Sequence, residues 1–234
     1  MRFGLLRGPL LIALYQAAPL SVARDSLGRY RFAVGYGVAE FEKDQYDCQG
    51  NLTAASRAGW RVGGAQLDAW PSPGLRLTAF ASRIRSDSIF EYDGLALGGM
   101  LAAEGRYVGF GVGVAGVPGR FSGGSTGPAL YLRFGNIDRV HFRFDALAPS
   151  STFGITAWGR VGVAFNQGHL RGASGFVGLS GCPYCDEKIN VGLFADLTIP
   201  ATRRLDFTVR GRAGPGQRLG EWGTGFGLRY NFRR

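Results

Sequence analysis

The stretch Trp222–Phe232, WGTGFGLRYNF, decides the reading of this chain. Trp222, Thr224, Phe226, Leu228, Tyr230 and Phe232 share one parity, and Gly223, Gly225, Gly227, Arg229 and Asn231 share the other. Successive side chains of a strand point to opposite faces. One face is therefore apolar and aromatic, and the other is small or polar. The same alternation recurs upstream. Tyr30, Phe32, Val34, Tyr36 and Val38 alternate with Arg31, Ala33, Gly35, Gly37 and Ala39, and Val108, Phe110, Val112 and Val114 alternate with Gly109, Gly111, Gly113 and Ala115.

Composition agrees with a strand-rich chain. The 234 residues include 39 glycines, 13% are aromatic and 19% are charged, against about 25% charged in ordinary soluble domains. No run approaches the ~20 apolar residues of a transmembrane helix. A hydrophobic content of 45% argues against disorder. The net charge of +10 is carried by scattered arginines. Without a dense basic run they read as solvated or lumenal groups, so no nucleic-acid partner is expected.

Residues 1–23 have the form of a secretory signal, with Arg2 and Arg7, an apolar Leu10–Leu20 and a small-x-small Ser21-Val22-Ala23. The expected mature domain is 24–234, at about +8 after those two arginines are subtracted from +10.

Twelve alternating segments are predicted between Tyr30 and Phe232, with ten as the alternative if Ala55–Trp70 or Ala129–Phe144 is misread. A bulge at Gly63-Gly64 is expected, because the apolar parity shifts there from Trp60 and Val62 to Ala65, Leu67 and Ala69. Pro71–Gly74, Glu104–Arg106, Asn136–Asp138, Asn166–Gly168 and Pro200–Arg203 read as brief turns. They alternate with connections that are mostly longer, an asymmetry of barrels with short turns at one end and longer loops at the other.

With the alternation, the connections and the closing Phe226, Leu228, Tyr230 and Phe232 in view, the chain resembles a bacterial outer-membrane β-barrel over Arg29–Phe232. It departs from that pattern in the Arg233-Arg234 overhang. The resemblance implies an all-β, antiparallel up-and-down transmembrane barrel in a Gram-negative-type envelope. It also implies outer-membrane lipid and the barrel-assembly machinery, engaged through the C-terminal strand, as partners. Segments of about nine to fourteen residues match the ~9–11 needed for a tilted span. Tyr30, Trp70, Tyr107, Phe165 and Tyr230 would form one aromatic girdle, and Phe41, Phe90, Phe153 and Trp222 the other.

The inward parity carries the candidate site. Strands one, four, five and twelve contribute mostly Gly and Ala. Strands six to eleven bring Tyr131, Arg133, His141, Arg143, Asp145, Trp158, Arg160, Phe194, Asp196, Asp206, Arg210 and Arg212, and Arg31, Arg61, Arg76 and Arg229 add to these. The arginines outnumber the available aspartates, Asp68 included. The preferred reading is a narrow porin-like channel for small anionic or polar solutes, with Arg61, Arg76, Arg133, His141, Arg143, Asp145, Arg160, Asp196, Asp206, Arg210, Arg212 and Arg229 lining it. The alternative is a closed lumen stiffened by Arg–Asp pairs, in a structural or surface-interaction barrel.

A lipid-modifying enzyme ranks third, since neither His141 nor His169 has a convincing serine beside it; no catalytic residue and no cofactor are expected. Cys182-Pro183-Tyr184-Cys185 has a redox-motif form but lies between strands. A local disulfide between Cys182 and Cys185 is the reading there, and no histidine completes a metal site with Cys48.

Overall fold

In a computed structural model, the described residues are 30–46, 52–86, 92–117, 125–147, 150–151, 154–155, 158–165, 173–182, 190–214 and 221–232. They contain fourteen strands and no helix. The strands are β1 (Tyr30–Tyr46), β2 (Leu52–Ser72), β3 (Leu75–Ser86), β4 (Tyr92–Glu104), β5 (Val108–Val117), β6 (Ser125–Gly135) and β7 (Val140–Leu147). They continue with the two-residue β8 (Ser150–Ser151) and β9 (Gly154–Ile155), then β10 (Trp158–Phe165), β11 (Ser174–Cys182), β12 (Asn190–Pro200), β13 (Leu205–Gly214) and β14 (Glu221–Phe232). Without the two short pieces, twelve strands pair antiparallel in sequence order. β14 pairs with β1, and β5 with β6, so the sheet closes on itself. β8 and β9 form a small side ladder on β6.

The closing seam joins the two strands with the cleanest alternation. Tyr30 opposes Phe232, Tyr36 opposes Phe226 and Glu40 opposes Trp222, with no register break between them. Period-two patterns on both partners make any one-residue slip turn every side chain to the wrong face.

The faces are inverted relative to a soluble protein. Phe32, Val34, Tyr36, Leu67, Leu77, Leu97, Phe110, Phe142, Val209 and Phe226 are exposed on the outside. Arg76, Arg133, Arg143, Arg229 and Asp145 are buried inside. Each such apolar side chain would forgo about 1.5–3 kcal/mol by facing water, so the exterior is built for lipid. With every barrel strand paired on both sides, no backbone edge meets hydrocarbon.

Two sequence expectations change. The β1–β2 and β2–β3 ladders run straight through Gly63-Gly64, with breaks only at Gln45/Tyr46 and at Ala69/Ser72. There is no bulge at the glycine pair. Val62 consequently points into the lumen, fully buried, and Arg61 points out, exposed. Continuous pairing on both edges holds the register against the local apolar pattern. Trp70 also leaves the girdle, because the inward guanidinium of Arg31 lies 4.9 Å from its ring centroid. Phe41, Phe90 and Phe153, the signal segment, Cys48 and Cys185 fall outside what is described of the chain or its side chains, as does the proposed disulfide. Cys182 ends β11, opposite Asn190.

The short turns at the end that holds both termini are tightly specified. Gly74 has φ +82° and its carbonyl accepts from the Glu104 amide at 2.6 Å, while a Cβ there would lie 3.1 Å from the Glu104 carbonyl oxygen. A left-handed conformation costs a non-glycine residue about 1–2 kcal/mol. Gly74→Ala should therefore lower folding stability by about that amount, read as a shift in the urea midpoint of refolding into vesicles.

Candidate functional site

The inner wall holds a chain of arginines and carboxylates that starts from a hub at the turn end. Glu104, the last residue of β4, contacts Arg76 at 3.3 Å and Arg133 at 3.4 Å, and it accepts from the Tyr131 hydroxyl at 3.3 Å. Arg133 also donates to the carbonyls of Gly135 (2.8 Å), Arg106 (3.4 Å) and Gly105. One fully buried guanidinium thus ties together two of the short turns. Ile137, from the β6–β7 turn, tucks in beside Tyr131 and Ala102 to form a small apolar cluster with Met100 at its edge.

The chain of charge continues on the adjoining wall. Asp145 on β7 bonds Arg143 Nε at 3.0 Å and Arg160 Nη2 at 3.3 Å. Arg160 reaches on to Asp196 at 2.9 Å, and Arg210 stands 4.0 Å from the same carboxylate. Aromatic rings separate the guanidiniums. Arg143 lies 5.2 Å from the Tyr131 ring centroid and 5.0 Å from that of Phe176, and Arg160 lies 5.1 Å from Phe176 and 5.0 Å from Phe194. Phe176 and Phe194 meet edge to face at 4.7 Å. Such ring-face contacts contribute about 0.5–2 kcal/mol each. Like charges are thereby kept apart by groups that attract both.

A further knot lies near the seam. Arg229 bonds Asp206 at 2.6–2.7 Å, Asn231 donates to Asp206 at 3.1 Å, and Arg31 donates to Asn231 at 3.0 Å. On the neighbouring strand β2, where it opposes Arg31, Asp68 accepts from Gln66 at 2.9 Å and from Thr78 at 2.7 Å.

The small-residue wall receives these groups. A Cβ on Gly109 would lie 2.6 Å from Glu104 Oε2, 3.2 Å from Arg133 Nε and 3.3 Å from Tyr131 Cε1. The inward alanines 33, 39, 96, 102 and 115 are all buried.

Among the residues predicted to line a lumen, Arg76, Arg133, His141, Arg143, Asp145, Arg160, Asp206, Arg210, Arg212 and Arg229 are buried on the inward face, and Asp196 is 16% exposed there. Arg61 does not join them, for the reason of register given above. His141 is 3% exposed and faces the interior beside the β6–β7 turn. His169, the other histidine, lies outside the described residues. No three His, Cys, Asp or Glu side chains among the described residues could together hold a metal ion.

The sequence reading missed Glu104 as a hub, having taken it as the start of a turn. The signal was available, because Ala96, Gly98, Met100 and Ala102 share its parity and the outward leucines 95, 97 and 101 do not. Ile137 carried no comparable signal, since a turn residue has no alternation to betray its direction.

A closed sheet of twelve antiparallel strands, apolar outside and charged inside, defines an integral membrane β-barrel of the bacterial outer-membrane type. Solved structures with the same architecture include an outer-membrane channel from Pseudomonas putida F1, with TM-score 0.59, 11% identity and coverage of 91% of this chain and 100% of that one. The translocator domain of the autotransporter NalP from Neisseria meningitidis aligns with TM-score 0.54 and 14% identity over 89% of this chain and 90% of that one. The β domain of the Bordetella autotransporter BrkA aligns with TM-score 0.52 and 14% identity over 87% and 100%. At these identities the likeness is one of fold. No protein family and no curated protein matches the chain in sequence.

Proposed function

We propose that this chain is an outer-membrane barrel whose lumen is closed to free diffusion, with its working surface at the loop end and on the lipid-facing exterior. The observation that carries this reading is the engagement of the lumenal carboxylates. Glu104, Asp145, Asp196 and Asp206 each contact an inward arginine, and Asp68 is held by Gln66 and Thr78. A selective pore needs fixed charges that face moving ions. Carboxylates already engaged in a buried network instead hold strands together.

Planar-bilayer recording on the purified chain tests this. The expected result is a baseline current without long-lived discrete steps. Reproducible anion-selective steps would overturn the reading and favour the second one, a narrow anion channel. That alternative draws on the surplus of inward arginines, with Arg31, Arg76, Arg133, Arg143, Arg160, Arg210, Arg212 and Arg229 set against Asp68, Glu104, Asp145, Asp196 and Asp206. It also draws on the channel among the structural neighbours. In a channel, Arg160→Glu would reduce the preference for anions. In a closed barrel it would chiefly destabilise the fold.

A further inference from the structure

Arg61, Arg83 and Arg85 are exposed on the outer face of the barrel. Arg61 on β2 directly opposes Arg85 on β3, and Arg83 opposes Gly63. Opposed residues of antiparallel strands have Cα atoms ~4.5–5.5 Å apart, and residues two apart on one strand are about 7 Å apart. Three guanidinium groups therefore rise from one patch.

Their level on the barrel is set by their neighbours. Along β3 the outward residues run Leu77, Ala79, Ala81, then Arg83 and Arg85. Along β2 they run Leu67, Ala65, Gly63, then Arg61. On both strands the apolar band stops and arginine begins, at the end of the barrel opposite the termini. β3 ends at Ser86, one residue beyond Arg85.

The patch has a shaped floor. Gly63 leaves open the space beside Tyr36, where a Cβ would come only to 3.8 Å from Cδ2. Tyr36 and Phe226 form a ring pair at 6.1 Å on the same outer face, and exposed Leu95 opposes Arg83 from β4. Tyr36, Gly63, Arg83 and Leu95 therefore form one outward row across β1–β4, with Arg83 standing between apolar neighbours and Arg61 and Arg85 one level nearer the loop end.

We propose that this patch binds the phosphate groups of lipids in the leaflet at the loop end, with an acyl chain lying against Tyr36, Gly63 and Leu95. Charge and depth both select this occupant. A guanidinium facing hydrocarbon at mid-membrane is costly, but near the interface the cost falls to about 0–1 kcal/mol. There its planar fork suits bidentate contact with phosphate oxygens. Asp93 of β4 opposes Arg85, and each of the three arginines has a contact within the chain; five N–H donors per guanidinium can serve a phosphate as well. The proposal holds whether or not the lumen conducts.

The test uses the full chain refolded in zwitterionic detergent micelles. It is titrated with a diphosphorylated, multiply acylated disaccharide lipid and, separately, with the same lipid after enzymatic dephosphorylation. Binding is read by native mass spectrometry and by the heat-induced mobility shift of the folded barrel. The expected result is tight retention of the phosphorylated lipid and at least tenfold weaker retention of the dephosphorylated one. Arg61→Gln/Arg83→Gln/Arg85→Gln should abolish that difference, and the single variant Arg83→Gln should reduce it. Far-UV circular dichroism and the mobility shift confirm that each variant is folded. If the triple variant fails to fold, Arg83→Gln and Arg85→Gln taken singly decide the matter. Equal retention of both lipids by the wild type, undiminished binding by the folded variants, or a change in oligomeric state without bound phosphate would each overturn the proposal.

Discussion

Asp145→Ala should lower the stability of the refolded barrel by about 3–5 kcal/mol, the range for removing one partner of a buried ion pair. Asp145 is 2% exposed and receives both Arg143 and Arg160. Arg160 keeps Asp196, but Arg143 loses the Asp145 carboxylate while it stays between the Tyr131 and Phe176 rings. With a urea slope of about 2 kcal/mol/M the midpoint of refolding into vesicles would fall by roughly 1.5–2.5 M. Combining Asp145→Leu with Arg143→Met should recover much of the loss, because an apolar pair of similar volume removes the need to compensate a buried charge. A single variant within about 0.5 kcal/mol of the wild type, the range of an ordinary surface change, would show that this network does not hold the barrel.

Gly162→Val is the second large effect. Gly162 on β10 faces Gly178 on β11. A Cβ on Gly162 would lie 2.1 Å from the Val177 carbonyl oxygen and 2.7 Å from the Gly178 Cα, and the reciprocal substitution meets the Val161 oxygen at 2.1 Å. These are backbone atoms, so no rotamer change relieves the clash and the two strands must separate. Overpacking typically costs 1–3 kcal/mol. With ladder hydrogen bonds also disturbed, about 3 kcal/mol or more is expected, together with loss of the folded band on unheated gels. Gly211→Val is the matching control. Gly211 is exposed on the outer face, and a Cβ there meets nothing within 4 Å. It should refold as well as wild type, since it only adds apolar surface toward lipid. Equal behaviour of the two variants would mean that the β10–β11 approach is looser than described.

These two sites differ in how much of them could be read in advance. Asp145 and Arg143 lie two apart on an alternating strand, so a shared inward face follows from parity alone. That Arg160 and Asp196 continue the same chain depends on β10 pairing with β7 and on β11 joining β10 to β12, which are long-range matters. The Gly162–Gly178 contact was invisible, because a glycine in alternation looks the same whether it faces open space or another backbone.

Alternation by itself determined the class of protein. Twelve strands with one apolar and one polar or small face, none a continuous apolar run of the length a helix needs in lipid, leave a closed barrel as the way to pair every backbone group. The match of Tyr30–Glu40 to Trp222–Phe232 closes it. Pairing and register decided the rest, because a strand's local pattern is a sum over faces and its partners can outvote it. Arg61 illustrates this best. The glycine pair beside it suggests a bulge and an inward arginine, but unbroken ladders on both edges hold the phase and turn it outward. The same constraint buries Val62 and gathers Arg61, Arg83 and Arg85 at the edge of the apolar band.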